Sequence, residues 1–484
     1  MLNDQGDGGT GNGAPAVAKR TRVARRLILP LALAQFICSF AGSNMNVMIT
    51  DISHDLNTDV KGVQTTITLF LLIMAILMIP CSKLTDRWGR KRCFIGGLTL
   101  YGIGALLSAV APNLGVLIIG NSVCEGVGTA LLIPPVYILA TVWFDDLTAR
   151  AWAFGAISGL GGVGAAAGPL IGGVITTAIS WRAAFLFQAA VVATIILLSR
   201  KLVDPIPPDP ARPFDGVGAG LSAVGMFFLV LGILQAGTRN TLFVLFLAIG
   251  LGFLLAFYLY IRRLERRGKE PLLSTGLFRN RTCNLALVTQ NIQWLLLMGV
   301  SFVVSVFLQE VRGYSAIGTG VVFTAATVGV LVSSFAAERL ARRWAQRTLL
   351  IAGFVGTLAG IGLLLLLVHA SSRVVAFAPG LLLIGLGLGV MLTPAVNVVQ
   401  SSFPEEMQGE ISGLSRSVSN LGSSFGTAIA GTILVSVVEL GTRSYAVAML
   451  VLAGFGLLGL LAAIRLPASP RPVAAASRSD NPAA

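Results

Sequence analysis

Ser82-Lys83-Leu84-Thr85-Asp86-Arg87-Trp88-Gly89-Arg90-Lys91-Arg92 is a short charged stretch between two apolar runs, each long enough to cross a bilayer. A looser copy follows as Glu338-Arg339-Leu340-Ala341-Arg342-Arg343-Trp344-Ala345-Gln346-Arg347, in which Leu84, Arg87, Trp88 and Lys91 find counterparts in Leu340, Arg343, Trp344 and Arg347. Two copies of one basic elbow, each joining two apolar spans, point to a chain built from two related halves. Parallel repeats of this kind meet around a substrate site near the bilayer midplane in transport proteins.

Outward from that stretch the chain is 55% hydrophobic and only 12% charged. An average soluble protein is about 25% charged, so an integral membrane protein is expected. A net charge of +14 would fit nucleic acid only if it were gathered on one exposed face. It lies instead in short loops between apolar runs, where it orients helices, and nucleic-acid binding is set aside. The five cysteines (Cys38, Cys81, Cys93, Cys124 and Cys283) show neither metal nor disulfide spacing and read as small packing residues. Residues 1–26 are polar, Gly-rich and basic, without the apolar core of a signal peptide. They read as a disordered cytosolic tail.

A helix needs about 20 apolar residues to cross a bilayer. Fourteen spans are read near 27–50, 60–81, 93–111, 115–143, 151–178, 183–203, 216–236, 242–261, 283–308, 316–337, 348–369, 374–400, 408–437 and 444–464. With the N-terminus in the cytosol, cytosolic segments hold 28 of the 35 Lys and Arg, and the outer side holds six: Lys61, Arg182, Arg239, Arg312, Arg373 and Arg443. Dropping any one span reverses every later loop and spoils that bias, so fourteen is preferred over twelve. The Pro-rich segment 204–215 cannot stay helical. The expected division is therefore a tail at 1–26, a first six-helix bundle at 27–203, a linker with two inserted helices at 204–267, a second bundle at 268–466 and a tail at 467–484. The basic run Arg262 to Lys269 reads as a solvated face anchoring the eighth span at anionic lipid.

The pattern at 82–92 resembles the loop 2–3 signature of the major facilitator superfamily, Gly-x-Leu-x-Asp-Arg-x-Gly-Arg-Lys/Arg, with Ser82 in the first place. The resemblance implies that Asp86, Arg87, Gly89, Arg90 and Lys91 form a latch closing the cytosolic gate; an orienting loop is the plainer alternative. Arg342 stands where Asp86 stood, so the latch is one-sided. In the fifth span Gly164, Gly168 and Gly172 line one face and admit a neighbouring helix closely, and Pro169 kinks the helix beside them. The string from Gly164 through Pro169 to Gly172-Gly173, then Trp181-Arg182, is similar to the span 5 motif of the superfamily's antiporters. With fourteen spans, Phe214-Asp215 to Gly225, and Gly313-Tyr314-Ser315, the chain resembles the fourteen-helix drug:proton antiporter branch.

Departures from that branch fall in the spans. Asn46-Val47 and Asp55-Leu56 register the first span, placing the family's acid on Ala41. Gly126-Val127-Gly128-Thr129-Ala130 registers the fourth, placing its arginine on Ser122 and its glutamine on Glu125. Glu125 lies about 15 Å into its span. An ionisable group there is costly and is a functional candidate, and a carboxyl that is neutral when shielded and charged when wetted suits a proton carrier. Asn121 shares its face one turn earlier and can hold the protonated form. A neutral interhelical hydrogen bond is the alternative.

Asn44 and Asn46 in the first span, and Gln290, Gln293 and Trp294 in the ninth, are substrate-cavity candidates, each equally readable as helix-to-helix hydrogen bonding or packing. Arg416 sits on a Ser-rich helix with Ser412, Ser415, Ser419 and Ser423, and can receive an anionic substrate, pair with Glu410 or Glu125, or snorkel to the cytosol. His54 and His369 lie at outer loops. There is no Gly-Lys-Ser/Thr phosphate loop and no paired His/Cys cluster, so enzyme chemistry, nucleotide drive, a metal and a cofactor are not expected.

The sequence thus points to an all-α membrane protein with the major facilitator fold, two six-helix bundles plus two extra central helices. The function expected is proton-coupled efflux of small amphipathic molecules by alternating access. The expected setting is the cell membrane, as a monomer in the lipid bilayer with both termini cytosolic, its partners a small-molecule substrate and protons. A lipid or metabolite exporter, an uptake symporter, and a sensor or scaffold that transports nothing are the alternatives.

Overall fold

The computed structural model describes residues 13–143, 147–200, 202, 204, 207–211, 213–235, 240–341, 343–370, 376–403, 407–436 and 443–467, with side chains from Ile28 onward except at 141, 147–152, 154–155, 158, 166, 338, 341, 369–370, 408–409 and 436. Fourteen long helices follow one another. They are α1 (Gly13–Asn44), α2 (Val60–Trp88), α3 (Arg90–Ala109), α4 (Leu114–Leu117, Ile118–Glu125 and Gly126–Trp143 in succession), α5 (Leu147–Ala178), α6 (Trp181–Ser199) and α7 (Gly216–Gln235). Then come α8 (Asn240–Arg266), α9 (Arg281–Val306, continued by Phe307–Val311), α10 (Ala316–Ala341), α11 (Gln346–Ala370), α12 (Phe377–Gln400), α13 (Gln408–Ser436) and α14 (Arg443–Ile464). Thirteen are long and apolar enough to span a membrane, and α5 makes fourteen when its bent pair counts as one span. Apolar runs of this length become helices because lipid offers the backbone no hydrogen-bond partner.

Polar residues at the run ends fix where helices start. Asp59 accepts from Gly62 N (2.8 Å), Asn113 from Val116 N (3.0 Å), Ser180 from Ala183 N (3.3 Å) and Asn280 from Cys283 N (3.1 Å). These are N-caps of the ordinary kind. α5 bends by 42° between Gly159–Ala165 and Ala167–Ala178. The break, at residue 166, directly follows Ala165, the residue four before Pro169, where the proline ring meets a carbonyl and a backbone donor is missing. Helix ends differ from the sequence reading: α2 runs on through the charged stretch to Trp88, and α1 ends at Asn44 but begins at Gly13, inside the stretch read as a disordered tail. After Pro15 that stretch is rich in Ala, Lys and Arg, good helix formers, and meets no further proline until Pro30. The elbow residue Arg342, the side chains of Glu338 and His369, the loop arginines Arg239 and Arg373, and the tail at 468–484 lie outside the described residues.

The packing repeats with an offset of eight helices. α1 runs along α5 as α9 runs along α13; α3 packs on α4 and α6 as α11 packs on α12 and α14; α2 meets α4 as α10 meets α12. Two six-helix bundles result, and α7 and α8 pack chiefly on each other. The bundles meet along two seams, α2 against α13 and α5 against α10. α7 covers the first seam through Val230 and Leu234, which bury against Leu72 of α2 and Ala428 of α13. We call the end of the molecule carrying Ser82–Arg92 the elbow end, and the opposite one the far end.

Candidate functional site

At the elbow end Gly89 adopts φ +94°, a conformation that glycine alone enters without strain, and this lets α2 turn into α3. The residues expected to form a latch make different contacts. Asp86 Oδ1 accepts from Arg90 Nη2 at 2.9 Å within the elbow itself. The N-terminus of α3 is capped by Asp204, whose Oδ2 accepts from Arg90 N (2.7 Å) and Lys91 N (3.4 Å). Asp209 N donates to Asp86 O (3.2 Å), so the Pro-rich linker is strapped across the elbow. Arg87 and Trp88 line an open cavity of about 430 Å³ with Arg92, Pro208 and Pro210. The ion pair that crosses between the bundles is Lys83 Nζ to Glu410 Oε1, 2.7 Å. Glu410 Oε2 also accepts from Ser274 N (3.2 Å), holding the loop after α8.

Along the α2–α13 seam, side chains reach carbonyls across the bundles. Gln64 Nε2 donates to Thr427 O (3.2 Å) and Ala428 O (3.1 Å), Ser424 Oγ to Thr68 O (3.1 Å) and Ser417 Oγ to Ala75 O (2.5 Å). In α5 the glycine stripe faces α1, where a Cβ at Gly164 or Gly168 would overlap the Phe36 carbonyl or the Ser43 hydroxyl. Gly173 and Pro169 face the other bundle, and a Cβ at Gly173 would come within 2.5 Å of Ala316 O. The far end is tied as well. Gln309 Nε2 donates to Asn46 O (2.8 Å), and Thr50 donates to Gln309 Oε1 (3.1 Å) through its backbone and to Glu310 Oε1 (2.9 Å) through its hydroxyl. Asn44 is fully buried beside Gly172, and neither end of its amide has a hydrogen-bond partner.

Glu125 is fully buried in α4 at the close of a stretch of wide π turns, Ile118–Glu125. Turns of that kind recur at functional positions. Asn121 Nδ2 donates to Glu125 Oε2 (3.3 Å) and Ser108 Oγ to Oε1 (3.4 Å), with Tyr101 and its partner Gln188 alongside (2.5 Å). All of these groups belong to the first bundle. The expected pairing of Glu125 with Asn121 is present, but the carboxyl faces α3 and not the seam between bundles.

Arg416 pairs with neither Glu410 nor Glu125. Its guanidinium lies over the Tyr137 ring (4.9 Å to the centroid) and donates to the Tyr137 hydroxyl across the bundles. Tyr137 Oη reaches Gln35 Oε1 of α1 (3.3 Å). Gln290 is satisfied inside the second bundle, donating to Ser419 Oγ (2.9 Å) and accepting from Ser415 Oγ (3.0 Å). Gln293 donates to Leu388 O of α12 (3.0 Å), its own oxygen left without a partner. One turn apart, the two glutamines serve different neighbours because α9 packs between α13 and α12. Trp294 is half-buried. His54 is exposed, and among the described residues no group of His, Cys, Asp or Glu could hold a metal.

Sequence reasoning passed over Lys83, Asp204, Tyr137, Gln35 and Gln64. Each is a polar residue inside or beside an apolar run, which was the available signal, but their partners lie more than a hundred residues away.

Comparison with known proteins follows this geometry. The family model described as Major Facilitator Superfamily matches residues 31–427. The puromycin resistance protein pur8 of Streptomyces alboniger is 29% identical over 412 residues, 84% of this chain and 81% of that protein. The multidrug efflux pump LfrA of Mycolicibacterium smegmatis is 27% identical over 425 residues, 88% and 83%. Among solved structures, a peptide transporter, POT, in complex with alafosfalin superposes with a TM-score of 0.68 over 92% of this chain and 98% of that one. At 16% identity this is a likeness of fold alone. Two bundles repeating the same packing, an elbow at 82–92 and a family match over most of the sequence lead to one assignment: the chain belongs to the Major Facilitator Superfamily.

Proposed function

We propose that the protein exports small amphipathic molecules in exchange for protons, by alternating access, from the cell membrane with both termini in the cytosol. The observation that carries the coupling is Glu125, the one carboxyl among the described residues that is wholly removed from solvent. A charge in that position is expensive and a proton there is not. Efflux is supported by relatives named for puromycin resistance and multidrug efflux over more than four fifths of the chain. Alternating access is supported by the ties at both ends of the bundle interface, Lys83–Glu410 at one and Asn46–Gln309 at the other. One set must break for either side to open.

The test is a liposome experiment with purified protein and an amphipathic dye panel. A pH gradient drives dye accumulation in wild type, and a protonophore abolishes it. Glu125→Gln keeps a neutral hydrogen-bonding group at the same place. It is expected to exchange dye in counterflow while losing accumulation driven by the gradient. Gradient-driven uptake by Glu125→Gln at the wild-type rate removes Glu125 from the coupling, and a wild type that exchanges no dye removes the transport reading.

A further inference from the structure

One face of α13 is polar along its length. Ser412, Arg416, Asn420, Ser423 and Thr427 recur at three- and four-residue spacing and so share one side of the helix. The neighbouring sides are taken. Ser415, Ser419 and Gly422 pack on α9, and Gly413, Ser417 and Ser424 pack on α2. The polar face therefore opens between α9 and α2 towards the first bundle, and the Arg416–Tyr137 contact confirms its direction. The opposing helix answers in kind. Gln35, Ser39 and Gly42 of α1, and Asn46 in the single turn just beyond it, recur at the same spacing, and no atom lies near the place a Cβ at Gly42 would take.

Arg416 is the only Lys or Arg placed well inside a span. Among the described residues no carboxylate lies within ion-pair distance of it: Glu410 is taken by Lys83, and Glu125 faces α3. A guanidinium has five donors in a fork suited to a planar anion. Here one neutral phenol, from the opposite bundle, meets it. Because Arg416 and Tyr137 belong to different bundles, parting the bundles separates them and leaves a bare cation facing the space that opens. The position where the family places an acid is Ala41, so the first span offers no carboxylate that would favour a cationic substrate.

We propose that Arg416 is the substrate-recognition group and that the preferred substrates are amphipathic organic anions, an aromatic or apolar body carrying a carboxylate or phenolate. The anion takes the place of the Tyr137 hydroxyl at the guanidinium, while Tyr137 and Gln35 remain to contact its polar edge. This rests on the export reading above and fixes the charge of the exported molecule.

The experiment uses two dyes sharing a xanthene body, fluorescein (anionic) and rhodamine 6G (cationic), in counterflow with reconstituted full-length protein. Wild type is expected to exchange fluorescein faster than rhodamine 6G. Arg416→Gln should lower fluorescein exchange at least tenfold and leave rhodamine 6G within twofold. Arg416→Lys, with the charge but not the fork, should fall between for fluorescein. If Arg416→Gln does not fold, as judged by gel filtration and thermal unfolding in detergent, the Arg416→Lys comparison decides alone. An equal loss for both dyes, or no loss for fluorescein, overturns the proposal. A wild type that exchanges rhodamine 6G and refuses fluorescein overturns it and leaves export standing; one that exchanges neither dye overturns both.

Discussion

Lys83 and Glu410 join the two bundles at the elbow end, and on the proposed mechanism their contact holds that end shut. Their 2.7 Å contact joins side chains that are 22% and 24% exposed, between the free surface and the interior. A charge-assisted bond of that exposure contributes about 1–2 kcal/mol to the closed arrangement. Losing it shifts the closed-to-open ratio by about 5- to 30-fold. Lys83→Gln removes the charge and keeps the length; Glu410→Gln keeps an oxygen for Ser274 N and loses the same charge. Each should open the elbow end to the same extent, and the double variant should do no more than either. Exchanging the two (Lys83→Glu with Glu410→Lys) restores the pair but leaves Ser274 N facing an ammonium, so recovery should be partial. Spin labels at the exposed elbow positions Arg92 and Trp344, read by pulsed electron resonance in nanodiscs, report the separation directly. Unchanged distances in Lys83→Gln, or effects that simply add in the double variant, refute the latch.

Glycine substitutions should separate stability from gating. Gly168→Ala meets the Ser43 hydroxyl inside one bundle and should lower stability by about 1–3 kcal/mol, seen as a lower melting temperature in detergent. Gly173→Ala meets Ala316 O across the bundles, so it should widen the far end in distance measurements while changing the melting temperature less. At the far end the Arg182 guanidinium, and after it the Trp181 indole N–H, hold the Asp55 carboxyl below its usual range. Their contribution is present above the ordinary aspartate range and disappears as pH falls through the lowered value. Asp55→Asn should therefore melt slightly below wild type from pH 5 to 8, the difference closing as pH falls through the lowered value, and it should be small because the pair is largely exposed.

The spans were legible because lipid imposes one rule, an apolar run of fixed length, on every segment. Gly89 and Pro169 were legible too, since a positive φ and a missing donor are properties of single residues. What could not be read was which polar group finds which. Lys83 and Glu410 are neighbours only once two bundles are placed against each other, and the sequence resemblance pointed to Asp86 for the same task. In the structure Asp86 pairs with Arg90 within its own elbow, while Asp204 of the Pro-rich linker caps the α3 N-terminus. For Arg416 the sequence offered two acids, and the structure supplied a tyrosine, because spacing along a helix says nothing about the side chain opposite.

Glu125 and Arg416 never touch, yet both act on α4. Glu125 is pinned where α3 and α4 run backbone to backbone: Cβ atoms at Gly104 and Gly120 would each meet the other's carbonyl within 2.8 Å, and Gly97 and Gly128 repeat the contact further along at 2.7 Å. There is no slack on that side for water to follow a charge. Ionising Glu125 is therefore expected to need α3 and α4 to part, since an unsolvated buried carboxylate is the costlier outcome. Twelve residues on, the same helix carries Tyr137, the group that occupies Arg416 in the closed interface. α4 carries Glu125 on the side against α3 and Tyr137 on the side towards α13, so on the proposed coupling a shift of α4 that wets the carboxyl changes the Arg416–Tyr137 contact. On the proposals above, protonation of Glu125 and the contact at Arg416 are linked through one helix without direct contact, and unchanged Arg416–Tyr137 distances in Glu125→Gln refute that link.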